Sequence, residues 1–275
     1  MPHRDSVTIA ALGLAIIGIG PSSTRSEQLP GRVIDVNARD YFFEAPDTLD
    51  AGVVTLRLWQ RGRDFHNLEL VRLDSGRTLA EWHRAAVAHR LPSWAANLGG
   101  PGFAQPGGSA NATLLVEPGD YLLTCSVGSA RTVDSLYHVW RGMVRPTHVR
   151  ASRLSRELPK PDIMARITDH GVEFSGAMED GRHLLRVENA DTVVREFSVT
   201  RVLPGHTVAE ALAWRRRMGT PEPDTLVGGL ADLGPGRVLL TTITFHPGDQ
   251  IVRTAPNAAA RGAQTAFVIR PRGAR

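Results

Sequence analysis

The residues with the richest chemistry fall in three short segments: FHNLELVRL at 65–73, EPGDYLLTC at 117–125 and HVWRGM at 138–143. They hold the chain's only cysteine, Cys125, two of its ten histidines, His66 and His138, and Met143. Thiolate, imidazole and thioether are donors that soft or borderline metals select. The same residues also have a structural reading: Cys125 as a small core residue, Met143 as a gap filler, and the two histidines on the surface of a fold without its metal. A single cysteine excludes an intrachain disulfide.

Other chemistries find no support. The remaining histidines are dispersed, with no His-x-His pair, and Thr124 stands directly before Cys125. His83 and His89, six apart on an expected helix, lie on different faces and so do not make a metal pair. The chain has no G-x-S-x-G elbow, Walker loop or H-E-x-x-H, and the glycine-rich segment Gly99–Gly108 lacks the Lys-Ser/Thr ending of a phosphate loop.

Taken together, the three segments resemble the cupredoxin family of blue-copper proteins. The likeness rests on His66-Asn67, on the Pro118-Gly119-Asp120-Tyr121 turn before Cys125, and on Gly142-Met143 closing the loop after His138. It implies one type 1 copper ion held by His66, Cys125, His138 and Met143, and one-electron exchange with a redox partner protein. A thiolate and two imidazoles with a weak axial thioether suit copper in both oxidation states, so little reorganises on electron transfer. On this reading Cys125 is interior, His138 lies nearest the surface, and Trp140 adds apolar area for a partner.

The sequence departs from the small members in its loop, where twelve residues separate Cys125 from His138. Copper nitrite reductases have a longer loop of this kind, and the His138-to-Met143 spacing is similar to their type 1 site. Lengthening a loop costs only about 0.6 kcal/mol per doubling. The second copper centre of those reductases and of multicopper oxidases needs histidines that are not found here. An electron carrier is therefore expected in preference to an enzyme. The alternative is a metal-free cupredoxin-like binding or scaffold protein of the cell envelope.

The elements that must position these residues are written twice. Shifting residues 52–125 by 129 positions gives 17 identities in 74, gathered at Gly76/Gly205, Gly99-Gly100/Gly228-Gly229, Pro106-Gly107/Pro235-Gly236 and Pro118-Gly119-Asp120/Pro247-Gly248-Asp249. These are turn residues, where backbone geometry is most demanding. Apolar runs at Val53–Leu58, Leu68–Leu73, Ala112–Val116 and Tyr121–Cys125 predict strands, with Val144–Val149 closing the set. Thr78–His89 and Thr207–Met218 each open with Thr and Glu three apart, a capping box that predicts one helix per copy. The expected fold is all-β: two tandem Greek-key β-sandwiches, each with one inserted α-helix. The module boundaries fall at 31–151 and 161–275, with a polar, proline-containing linker from Ser152 to Pro161.

The rigid shift sets Arg195, Thr254, Phe267 and Arg272 opposite His66, Cys125, His138 and Met143, so metal is expected in the first module alone. The pI near 9.9 comes from 31 arginines and one lysine scattered along the chain, with Arg215–Arg217 on a solvated helix face, so no nucleic-acid partner is expected. Residues 1–28 read as a signal peptide, with a fourteen-residue uncharged stretch from Val7 to Gly20. That stretch is too short to span a bilayer, so a periplasmic or secreted protein without a stable membrane span after cleavage is expected.

Overall fold

The computed structural model describes residues 28–86, 92–128, 137–214, 222–255 and 262–273. All but the last residue of the expected signal peptide, together with His89 and Arg215–Arg217, lie outside the described residues. No helix among those described is long and apolar enough to cross a membrane.

The first half contains β1 (Arg32–Arg39), β2 (Phe42–Glu44), β3 (Thr48–Asp50), β4 (Gly52–Gln60), β5 (Glu69–Leu73), α1 (Leu79–Ala86), β6 (Ala95–Asn97), β7 (Gly100–Pro101), β8 (Ser109–Val116), β9 (Gly119–Thr124) and β10 (Val144–Arg150). The second half contains β11 (Ile163–Ile167), β12 (Val172–Ser175), β13 (Gly181–Asn189), β14 (Arg195–Val202), α2 (Val208–Trp214), β15 (Asp224–Leu233), β16 (Val238–Phe245), β17 (Gly248–Arg253) and β18 (Gln264–Ile269). The architecture is all-β with one helix in each half, as the apolar runs and capping boxes predicted.

Both capping boxes close reciprocally. The Thr78 N–H donates to Glu81 Oε2 at 2.9 Å while the Glu81 N–H donates to Thr78 Oγ1 at 3.2 Å. Thr207 and Glu210 repeat this at 2.7 and 3.2 Å. Each pair satisfies two backbone donors that a helix start otherwise leaves without partners.

Strands β4 and β13, β8 and β16, and β9 and β17 begin 129 positions apart, as the sequence shift requires. The last strand departs from it. Val149 of β10 pairs with Gly119, and Ile269 of β18 pairs with Gly248, so these two strands correspond at an offset of 120. The residue in register with Met143 is therefore Ala263 rather than Arg272, because the second half uses a shorter loop before its last strand.

Each half has its own pair of sheets, as expected, and the two halves are joined edge to edge. One eight-stranded sheet runs β12-β11-β13-β16-β8-β4-β1-β2 through both, and five-stranded sheets β3-β10-β9-β5-β6 and β18-β17-β14-β15-β7 pack against it. The seam is made by Leu240 of β16 opposite Thr113 of β8, and by Asn111, whose side chain exchanges two 2.8 Å hydrogen bonds with the Thr242 backbone. β7 of the first half adds itself to the edge of β15. The main apolar cluster runs through both halves, from Ile34 and Val36 in β1 to Phe245 and Ile269 in the second half, with Cys125 and Met143 inside it, and a smaller cluster lies under each helix.

Candidate metal centre

Three separate stretches of chain bring the chemistry-bearing residues to one end of the first half. His66 follows β4 and is pinned by a two-way backbone bridge to Ala104: the His66 N–H donates to Ala104 O at 3.3 Å and the Ala104 N–H to His66 O at 2.8 Å. Cys125 directly follows β9. The loop beyond it returns through a short 3₁₀ turn, His138–Arg141. There the His138 N–H donates to Val127 O at 2.8 Å and the Val139 N–H to Cys125 O at 2.9 Å. Gly142 ends the turn at φ +93°, a conformation that favours glycine, and the Met143 N–H returns to His138 O at 3.0 Å. The long loop thus still brings His138 back to Cys125.

The three donor atoms face one another. His66 Nδ1 lies 3.7 Å from Cys125 Sγ, His138 Nδ1 lies 3.6 Å from it, and the two Nδ1 atoms are 3.0 Å apart. This is the one group of three potential metal-ligating side chains of its kind among the described residues. A metal bonded to sulfur at about 2.3 Å and to nitrogen at about 2.0 Å, with a trigonal angle, sets the S···N edge near ~3.7 Å. The observed edges therefore suit a single ion that His66, Cys125 and His138 would hold. Met143 is fully buried and packs in the same core cluster as Cys125.

Burial governs the protonation of all three donors. It pushes the Cys125 thiol up to about 12, although the Val127 and Asn67 backbone N–H groups at the sulfur pull the other way. Burial, together with the neighbouring His138, pulls His66 down to about 4, and burial likewise lowers His138. Near neutral pH each imidazole then keeps one N–H and offers one lone pair, the state a metal needs.

The outer edges of both rings meet carboxylates. His66 Nε2 is 3.5 Å from Asp40 Oδ1, and His138 Nε2 is 3.9 Å from Asp64 Oδ2. Neither Nε2 completes a hydrogen bond. Asp40 is itself held by the Arg63 and Asp64 backbone N–H groups, at 2.7 and 3.3 Å, which keep its carboxyl below the usual range against the opposing effect of burial. Residue 62 must be glycine for this: a Cβ there would sit 2.1 Å from Asp40 Oδ1. Negative charge beside Nε2 favours the tautomer with its proton there, leaving the Nδ1 lone pairs turned toward Cys125.

Two expectations are corrected. Neither histidine is the surface residue that the structural reading had it be: both are 0% exposed. The β1–β2 turn covers the site, with the Tyr41 ring edge-on to His138 at 5.3 Å and Arg141 stacked over Tyr41 at 5.3 Å. Nor is Trp140 an open platform. It stacks on Trp82 of α1 at 6.1 Å and 20°, because the inserted helix crosses that face.

A buried polar network lies behind Cys125. Asn67 Oδ1 accepts from the Ser126 N–H at 3.0 Å, and Asn67 Nδ2 donates to Ser126 Oγ at 2.9 Å and Glu69 Oε1 at 3.3 Å. Ser126 Oγ also donates to Glu69 Oε1. Glu69 is 5% exposed; burial and the nearby Asp232 raise its carboxyl well above the usual range, and burial raises Asp232 too. Sequence reading missed Asp40, Asp64, Glu69 and Asp232, since three of them are ordinary strand or turn residues and none stands in a motif. Only the acidic residue two positions before His66 offered a local hint.

In the second half, the residues in place of His66 and Cys125 serve the structure. Arg195 is ion-paired with Asp191 at 2.6 Å, and Thr254 Oγ1 donates to Ala263 O at 3.2 Å. Phe267, which the rigid shift set opposite His138, lies in β18 and packs on Phe174 with ring centroids 4.9 Å apart, while the 120-residue offset puts the counterpart of His138 outside the described residues.

No family model matches this sequence, and neither does any curated protein. Solved structures align with it at low identity and low TM-score. Auracyanin A, a "blue" copper protein from Chloroflexus aurantiacus, aligns at 18% identity and TM-score 0.30, over 43% of this chain and 98% of its own. A blue copper oxidase from Nitrosomonas europaea aligns at 15% identity and TM-score 0.26, over 87% of this chain and 86% of its own. A copper-containing nitrite reductase from Thermus scotoductus aligns at 12% identity and TM-score 0.24, over 87% of this chain and 61% of its own. Among the described residues the chain is an all-β fold with a His-Cys-His donor group at the end of its first half.

Proposed function

We propose that this chain is an exported type 1 copper protein that carries single electrons through one mononuclear site made by His66, Cys125, His138 and Met143. The observation that carries this reading is the convergence of His66 Nδ1, His138 Nδ1 and Cys125 Sγ within 3.0–3.7 Å of one another in a buried pocket. Copper held there supplies one-electron redox chemistry with little change of geometry. The chain's own residues do the rest. His66 and His138 present neutral Nδ1 atoms, Asp40 and Asp64 hold the opposite ring edges, and the Val127 and Asn67 N–H groups favour the thiolate over the thiol. Met143 enters from the apolar core as the fourth, weak donor.

In this proposal, residues 31–151 hold the metal and 161–275 form a degenerate copy without ligands. The uncharged stretch Val7–Gly20 supports export, and the exposed aromatic residues Phe65 and Tyr137, next in sequence to the two histidines, support approach by a redox partner protein. The test is to add Cu(II) to the purified protein and to Cys125→Ser while recording visible absorption and electron paramagnetic resonance. A thiolate-to-copper band in the parent that is lost in Cys125→Ser supports the reading. No such band in the parent would leave the metal-free binding or scaffold role.

A further inference from the structure

The polar network behind Cys125 does not end within the first half. Asn97 of β6 donates from its single Nδ2 to Glu69 Oε2 at 2.9 Å and to Asp232 Oδ2 of β15 at 3.2 Å. The two carboxyl groups also hydrogen-bond each other. Asp232 is aimed there by local irregularity. The β14–β15 register slips between Arg195 and Phe197, leaving an extra residue on β15, and Asp232 takes a left-handed φ of +46°. Bulges of this kind re-aim a side chain next to a site, and the left-handed conformation is uncommon for any residue but glycine. The backbones approach closely as well: a Cβ on Gly99 would meet Ala231 O at 2.9 Å. No counterpart exists in the other direction, since the 129-residue shift puts Leu226 and Phe103 at the matching positions.

We infer that Asp232, supplied by the half that holds no metal donors, is a positioning residue for the metal centre: through Asn97 and Glu69 it fixes Asn67 and Ser126, the residues that directly follow His66 and Cys125. Removing its carboxylate leaves one Asn97 N–H and the Glu69 carboxyl without an acceptor in a buried setting, a state that structures avoid. Glu69 then shifts, and with it the Ser126 and Asn67 bonds that seat the two donor-bearing loops. The degenerate half thereby gains a function at the site of its neighbour.

The inference builds on the copper reading for one arm of its test and stands without it for the other. In the first arm, copper-loaded wild type, Asp232→Ala, Asp232→Asn and Asp224→Asn are compared by visible absorption and paramagnetic resonance. Asp224→Asn breaks a buried ion pair with Arg253 at the far end of β15 and controls for general loss of stability. Asp232→Ala is expected to move the thiolate-to-copper band and the copper hyperfine splitting. Asp232→Asn, which keeps an oxygen for the Asn97 N–H, restores the wild-type spectrum, and Asp224→Asn retains it. A wild-type spectrum in Asp232→Ala overturns the inference. If wild type shows no copper band, the copper reading fails, and the second arm decides. In metal-free protein, the sole thiol, Cys125, should react with a thiol reagent at least tenfold faster in Asp232→Ala than in wild type or Asp224→Asn, and equal rates overturn the inference. Should Asp232→Ala not fold, Asn97→Ser cuts the same link from within the first half and carries the same expectations.

Discussion

At the scale of single residues, two features set how the pocket takes a metal: a thiol held up near 12, and imidazoles that burial keeps neutral, His66 down to about 4 and His138 also lowered. Binding a metal must displace the Cys125 proton, so apparent affinity should fall about tenfold for each pH unit lowered from neutrality. The fall steepens below about 4, where His66 takes up a second competing proton. Competition titration against a chelator of known proton affinity checks this, and a flat profile would place the metal elsewhere. Asp40→Asn removes the carboxylate facing His66 Nε2 and should weaken metal binding by about 10–100-fold, measured the same way. The donors were legible in the sequence because Cys125 and the Pro-Gly-Asp turn announce themselves by type and spacing. Asp40 was not, because a carboxylate in a two-residue turn 26 positions before His66 signals nothing until β1 and β4 pair.

At the scale of elements, α1 has a defined task. Its Trp82 stacks on Trp140 of the 3₁₀ turn that carries His138, so the helix braces the returning loop. Thr78→Ala removes the side-chain acceptor for the Glu81 N–H and should cost about 1 kcal/mol of stability in denaturant titration. No change in the unfolding midpoint would mean that the cap adds nothing to the fold. Both helices and the strands β4, β8 and β9 were legible, since capping residues and apolar runs are local properties. The first strand, β1, was not: RVIDVNAR alternates charge with the buried Ile34, Val36 and Ala38, and it gains its place by parallel pairing with β4. The closing strand β18 was misregistered because the rigid shift has no means to see a shorter loop.

For the whole molecule, the shared eight-stranded sheet and the main apolar cluster that spans both halves tie them together. Unfolding should therefore be one cooperative transition, coincident by tryptophan fluorescence and by far-ultraviolet circular dichroism, and two separated transitions would contradict a common core. This seam was invisible in the sequence, since β7–β15 and β8–β16 pair residues more than a hundred positions apart and carry no local signature. The same seam joins the half without donors to the metal centre, through Asp232. The central claim is that one copper ion is held per chain by the sulfur of Cys125 and the Nδ1 atoms of His66 and His138. X-ray absorption at the copper edge of the loaded protein tests it most directly. The account predicts one short copper–sulfur bond and two imidazole nitrogens, with no sulfur neighbour in Cys125→Ser; a shell of nitrogen and oxygen alone, unchanged by that substitution, would contradict it.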